Sequence, residues 1–131
     1  KFIEAEAAFK TDKPRAYAAF LEGIKANMNK IGVAPSDRDA YVNHPSISVG
    51  SAALTLELLF REKYKALFLM PVTWDDARRF DYKYQGFQLP LNALTPTYVR
   101  RLVYPSVETS RNSANVPVVT DVTQKLWWDM P

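Results

Sequence analysis

Apolar residues recur at helical spacing through the first seventy positions and lose that rhythm afterwards. Phe2, Ala5 and Phe9 stand at i, i+3 and i+7 and predict a short amphipathic helix over residues 2–10 with no capping residue before it. Tyr17, Phe20, Leu21, Ile24, Met28 and Ile31 keep near-ideal 3.6-residue spacing and predict a second, longer helix. Asp12 is placed to cap it, Pro14 is tolerated in its first turn, and Gly32 suits a left-handed stop. A link of about three residues forces these two helices into an antiparallel hairpin. Alanines at 5, 7, 8, 16, 18 and 19 would let the backbones approach closely. Such a hairpin resembles one unit of a helical repeat, although no period is visible within the chain.

Ser36 and Asp39 have the S-x-x-D form of a capping box and predict a short helix that Pro45 ends, with His44 in its exit. A third long helix is predicted from Ser51 to Met70, closed by Pro71. Its Leu54, Leu56, Leu58, Leu59, Phe60, Tyr64, Leu67 and Phe68 cover more than half the circumference, which implies burial on two sides. Thr73 and Asp76 form a second capping box before a short helix from Trp74 to Phe80. Asp75 and Asp76 at its start and Arg78 and Arg79 in its last turn complement the helix dipole.

From Lys83 onward the periodicity fails. Tyr98–Tyr104 reads as extended chain and Ser106–Arg111 as one helical turn capped by Ser106. The fold expected is therefore all-α: a helical hairpin packed with further helices, followed by a long loop-rich tail. We expect one domain over 1–131, helical over 1–82, with residues 83–131 wrapping it. Six of the nine prolines and nine aromatic residues fall in 71–131. Trp74, Trp127 and Trp128 are expected to staple this segment to the core. Tyr82, Tyr84 and Phe87, just past a helix end, are the candidates for a flat face offered to a ligand such as a sugar ring.

A chain of 131 residues with 47% hydrophobic and 24% charged residues is globular, and the absence of cysteine removes disulfides, thiolate metal sites and a Cys nucleophile. The net charge of +3 is spread evenly, ten bases against eight acids in residues 1–70 and seven against six in 71–131, so no nucleic-acid footprint is expected. No apolar run is long enough to span a membrane. The chain opens at Lys1 already in helical pattern, and we expect it to be a piece of a longer protein whose targeting segment lies elsewhere. Catalysis is not expected. Asp75 and Asp76 are neighbours about 100° apart on a helix and cannot face one scissile bond. His44 has Ser46 and Ser48 close by but no nucleophile elbow or orienting acid. Metal-ligand spacings and phosphate-binding glycine loops are absent from the sequence, so neither metal nor cofactor is expected.

Several motifs in fixed order carry a resemblance. Arg61-Glu62-Lys63-Tyr64, then Ala66-Leu67-Phe68, then Trp74-Asp75-Asp76-Ala77-Arg78-Arg79 resemble the E-K-Y-x-A-L-F and W-x-x-x-R-R stretch of the SusD/RagB outer-membrane nutrient-binding lipoproteins. Arg101-Leu102-Val103-Tyr104-Pro105-Ser106 with Glu108, Asn112 and Asn115 is similar to that family's R-L-x-Y-P-x-x-E and N-x-x-N signature, and Leu126-Trp127-Trp128-Asp129 to its closing W-W-D. Phe80-Asp81-Tyr82 stands where the family usually has a Gly-x-Pro turn, and Tyr98-Val99 where it often has Ile-Pro.

The resemblance implies the C-terminal part of a longer, non-catalytic lipoprotein built on tetratricopeptide-type hairpins. It implies the outer face of a Gram-negative outer membrane, reached only through an N-terminal lipid anchor absent from this chain. It implies binding of oligosaccharides or other polymer fragments and their delivery to a TonB-dependent (SusC-like) transporter. Within it Glu62 would pair with Arg78 or Arg79, and Asn112 and Asn115 would satisfy loop backbone; no ligand contact follows from the motifs. The competing reading is a tetratricopeptide-like scaffold that binds a protein partner and no glycan, whose mark would be an exposed concave stripe of polar and basic residues.

Overall fold

The computed structural model describes residues 1–84 and 87–129; residues 85, 86, 130 and 131 of the expected tail lie outside the described residues. It is all-α, and among the described residues there is no strand. The elements are α1 (Phe2–Ala8), α2 (Lys13–Lys30), α3 (Pro35–Val42), α4 (Leu56–Ala66), α5 (Val72–Arg79), α6 (Ser106–Arg111) and a 3₁₀ turn at Trp127–Asp129. The chain divides into two compact units, Lys1–Gln85 and Gly86–Pro131, each with its own internal contacts. No described helix is long and apolar enough to cross a membrane.

In the first unit α1 and α2 form the expected antiparallel hairpin: Lys1 pairs with Glu22 at 2.9 Å at one end and Arg15 with Glu4 at 3.0 Å further along. Ala5, Ala8, Ala16 and Ala19 are buried between neighbours, while Ala7 and Ala18 face out. The approach is closest at Gly23, where a Cβ would lie 3.1 Å from the Phe2 ring. Asp12 caps α2, its Oδ1 accepting from the Arg15 N–H at 3.0 Å. Gly32 at φ +78° ends it with the paired bonds of a Schellman stop, Gly32 N–H to Asn29 O and Val33 N–H to Met28 O.

Helix α4 packs on α1 and α2 through fully buried Leu59, with Leu54 buried just before it. Its other side receives the aromatic cluster of Phe60, Phe80 and Tyr84, with the Phe60 and Phe80 rings stacked at 4.5 Å. Two-sided burial is therefore found, but over a shorter helix than expected. Thr55, whose Oγ1 accepts from the Leu58 N–H at 3.2 Å, starts α4 later than Ser51, and its last helical residue is Ala66. Phe68, Leu69 and Met70 are exposed, and Leu69 sits at φ +65°.

Three other expected caps are corrected. Helix α3 begins with Pro35 in its first turn and no side-chain cap, so Ser36 and Asp39 form no box; Asp39 instead pairs with Arg38 at 2.8 Å. Thr73 does not cap α5 either: its Oγ1 donates back to Met70 O at 2.6 Å, and Asp76 is buried in an ion pair. Pro105, not Ser106, stands at the cap position of α6. Helix α5 ends in a second Schellman motif, Asp81 N–H to Arg78 O and Tyr82 N–H to Ala77 O, with Asp81 at φ +55°. Asp81 thus occupies the left-handed position that a glycine usually takes.

The second unit holds α6 and extended chain. The backbone N–H groups of Arg100 and Arg101 both donate to Val122 O, at 2.8 and 3.1 Å. Buried Arg100 reaches Asp129 at 3.3 Å and ties the 3₁₀ turn to that crossing.

Candidate functional site

Between α3, the turn after it and α4 of the first unit lies an open groove of about 620 Å³. Asp37 and Tyr41 come from α3, His44 and Ser46 from the turn, and Arg61 and Lys65 from α4; buried Ile47 and exposed Ala40 give apolar surface. Arg61 and Lys65 are four apart on one helix, so they share a face.

Beneath them sits Glu62, only 3% exposed. Its carboxylate accepts a hydrogen bond from the Tyr41 hydroxyl on Oε2 at 2.7 Å, and on Oε1 from the Lys65 ammonium at 2.7 Å and from Arg61 Nε at 3.1 Å. Lys65 also donates to the Tyr41 hydroxyl at 2.9 Å. One buried anion thus fixes two cations and a phenol at the groove. Burial pushes the Tyr41 phenol above its ordinary range and Glu62 reinforces the shift, while Lys65 opposes it. Burial disfavours the Lys65 ammonium, but Glu62 and Tyr41 outweigh it and raise its pKa above the ordinary lysine value. Lys65 is therefore a cation throughout the neutral range.

At the groove's turn, His44 Nδ1 accepts from the Ser46 N–H at 3.3 Å and meets the Ser46 hydroxyl at 2.8 Å. An accepting Nδ1 puts the proton of the neutral ring on Nε2. Within the described residues no acid orients this ring, so the pair lacks the third member of a triad.

A second charged cluster is structural in position. Lys63 and Asp76, both buried, pair at 2.8 Å, and Arg79 bridges Asp76 at 2.8 Å and Glu6 at 2.7 Å, joining α1, α4 and α5. The Lys63 contact on Asp76 Oδ2 has ion-pair distance without hydrogen-bond alignment. Burial alone raises the Glu6 carboxyl, yet the Arg79 and Lys63 charges hold it below the usual glutamate range.

The expected pairing of Glu62 with Arg78 or Arg79 is not formed, because α4 turns Glu62 toward Tyr41 and Arg79 reaches Glu6 and Asp76 instead. Arg78 pairs with Asp75 and lies over the Trp74 ring at 4.0 Å. Trp74 is half-buried, its Nε1 donating to the Tyr82 hydroxyl at 3.1 Å. Tyr82 and Tyr84 are both buried, packed at the α5 exit, and offer no open face to a sugar. Phe87, in the second unit, packs against Tyr98, the two rings tilted at 32° with centroids 5.4 Å apart.

The Asn112 and Asn115 side chains bond other side chains rather than the loop backbone expected of them: Asn115 donates to Asn112, and Asn112 to Glu108, at 2.7 and 2.6 Å. Tyr104 lines a cleft of about 270 Å³ with Val116 and Val119. Trp127 is 87% and Trp128 44% exposed, which corrects the expectation that both are buried staples; Asp129 makes the tie instead. Among the described residues no cluster of His, Asp or Glu is arranged to hold a metal ion.

Sequence reasoning passed over the groove. Arg61 and Lys65 were legible as helix neighbours of Glu62, but Tyr41, 21 residues away, reaches Glu62 only through the tertiary fold. Comparison with known proteins found no matching family model, no matching curated protein and no matching solved structure.

Proposed function

We propose that this chain is the C-terminal part of a non-catalytic, SusD/RagB-like nutrient-binding protein. In this reading a lipid anchor elsewhere in the protein holds it on the outer face of a Gram-negative outer membrane. It captures oligosaccharides or other polymer fragments and hands them to a TonB-dependent (SusC-like) transporter. The observation that carries the proposal is the order and spacing of four motifs, from Arg61-Glu62-Lys63-Tyr64 through Trp74–Arg79 and Arg101–Ser106 to Trp127-Trp128-Asp129. The α1–α2 hairpin agrees with a tetratricopeptide-like unit of a larger α/α superhelix.

A second reading has one observation in its favour: Arg61 and Lys65 line an open groove on the helices, as a scaffold for an acidic protein segment would have them. Surface cross-linking of the native protein in its own cells, followed by mass spectrometry, separates the two. Recovery of a TonB-dependent β-barrel transporter in the outer-membrane fraction is expected; recovery from the cytosol with soluble partners would contradict the proposal.

A further inference from the structure

We infer that the cleft between α1, the first turns of α4 and the end of α5 binds a small aromatic carboxylate, a ligand of phenylpropionate size. The cleft lies within the first unit and has a volume of about 270 Å³. Its walls are rings and aliphatic carbon: Phe9 from the end of α1, Leu56 and Phe60 from α4, and Phe80 from the end of α5. Phe60 is buried and stacks on Phe80, while Phe9, Leu56 and Phe80 are half-buried and leave part of their surface to the cleft. An apolar cavity of about 150 Å³ takes benzene, so the cleft has room for one aromatic ring with a short side arm. Aromatic pairs gain more than their buried area alone, and walls made of rings therefore favour an aromatic occupant over an aliphatic one.

Charge specifies the rest of the ligand. Glu6, Lys10 and Arg79 are the charged residues lining the cleft. Glu6 and Arg79 satisfy each other through two hydrogen bonds, at 2.7 and 3.0 Å, and Lys63 adds an ion pair to Glu6 at 3.4 Å. Lys10 is exposed and makes no hydrogen bond or ion pair among the described residues, so its ammonium stands with unspent donors beside an apolar wall whose other charges are paired. Cations already lie over the rings: Lys13 is 3.6 Å from the Phe9 centroid, and Lys63 and Arg79 are 5.4 and 5.8 Å from that of Phe60. A cationic ligand would meet like charge there, and a neutral one would leave Lys10 unused. An aryl carboxylate sets its ring among the phenyl groups and its anion at Lys10. The Glu6–Arg79 pair joins α1 to α5 across the cleft and holds its walls before a ligand arrives, which lowers the ordering cost of binding.

The test is an NMR titration of the whole chain with four probes: phenylpropionate, phenylpropanol, phenylpropylamine and hexanoate. Phenylpropionate should bind with millimolar affinity and shift the amide signals of Ala7, Lys10 and Phe80, with the other three weaker. Lys10→Gln, at an exposed position, should weaken phenylpropionate about threefold, the worth of an exposed ion pair, and leave phenylpropanol unchanged. Ala7→Trp, also at an exposed position, should fill the cleft and abolish binding of both with the melting temperature unchanged. Phenylpropanol or phenylpropylamine binding as tightly as phenylpropionate would overturn the carboxylate assignment, and hexanoate doing so would overturn the aromatic one. Binding retained in Ala7→Trp, or shifts confined to other residues, would overturn the location, and no shift with any probe at about 10 mM would overturn the cleft as a site. The inference does not rest on the nutrient-binding reading, which the cross-linking experiment decides independently.

Discussion

Lys63, Asp76, Glu6 and Arg79 form a network in which each charge is compensated by the others. Removing one member of a buried pair leaves an uncompensated ion, at about 3 kcal/mol or more. Lys63→Met should therefore lower the urea-unfolding free energy by about 3 kcal/mol, and a loss below about 1 kcal/mol would show that Arg79 alone satisfies Asp76. The same network sets an acid limb. The folded carboxyl of Glu6 titrates below its unfolded value, so its contribution is present above about pH 4.3 and is lost as pH falls through the folded value. Glu6→Gln should flatten that limb. On the alkaline side burial, and then the Asp76 charge, raise the Tyr84 phenol, so its contribution is complete below about pH 10 and fades above it. Tyr84→Phe should remove that alkaline loss in a pH series of melting curves. Trp127 stands at the opposite extreme: exposed as it is, Trp127→Ala should move stability by no more than about 0.5 kcal/mol. A larger loss would place its indole against the fold.

At the scale of elements, local signals and tertiary ones separate cleanly. Helix α2 was legible end to end, because Asp12, Pro14 and Gly32 act through backbone geometry that the sequence encodes directly. The caps at Ser36 and Thr73 were misread because a proline or a competing bond to a nearby carbonyl settled those starts. For α4 the apolar run begins before the helix does: Leu54 is buried from the irregular chain just ahead of it, where periodicity cannot tell it from a helical position, and Thr55 sets the start. The α5 exit gives a sharper test. Asp81 in the left-handed region carries strain that glycine lacks, so Asp81→Gly should raise stability by about 0.5–1 kcal/mol, or a few degrees in melting temperature. A decrease would mean that the Asp81 side chain contributes more than the strain it carries.

For the whole molecule, the all-α class was legible in the helical spacing of the first part of the chain. The division into two units was not legible, since composition alone does not say which loops contact one another. The candidate site was the least legible part. Aromatic side chains just past a helix end drew attention to Tyr82 and Tyr84, and both are used in packing. The groove depends on Tyr41 and Lys65 meeting over Glu62, a juxtaposition with no sequence period. The central claim is capture of saccharide without turnover, and the most direct measurement is equilibrium dialysis of the native protein against a mixed oligosaccharide pool, with mass spectrometry of the retained fraction. The account predicts retained oligosaccharides of unaltered length; no retention, or the appearance of shortened products, would contradict it.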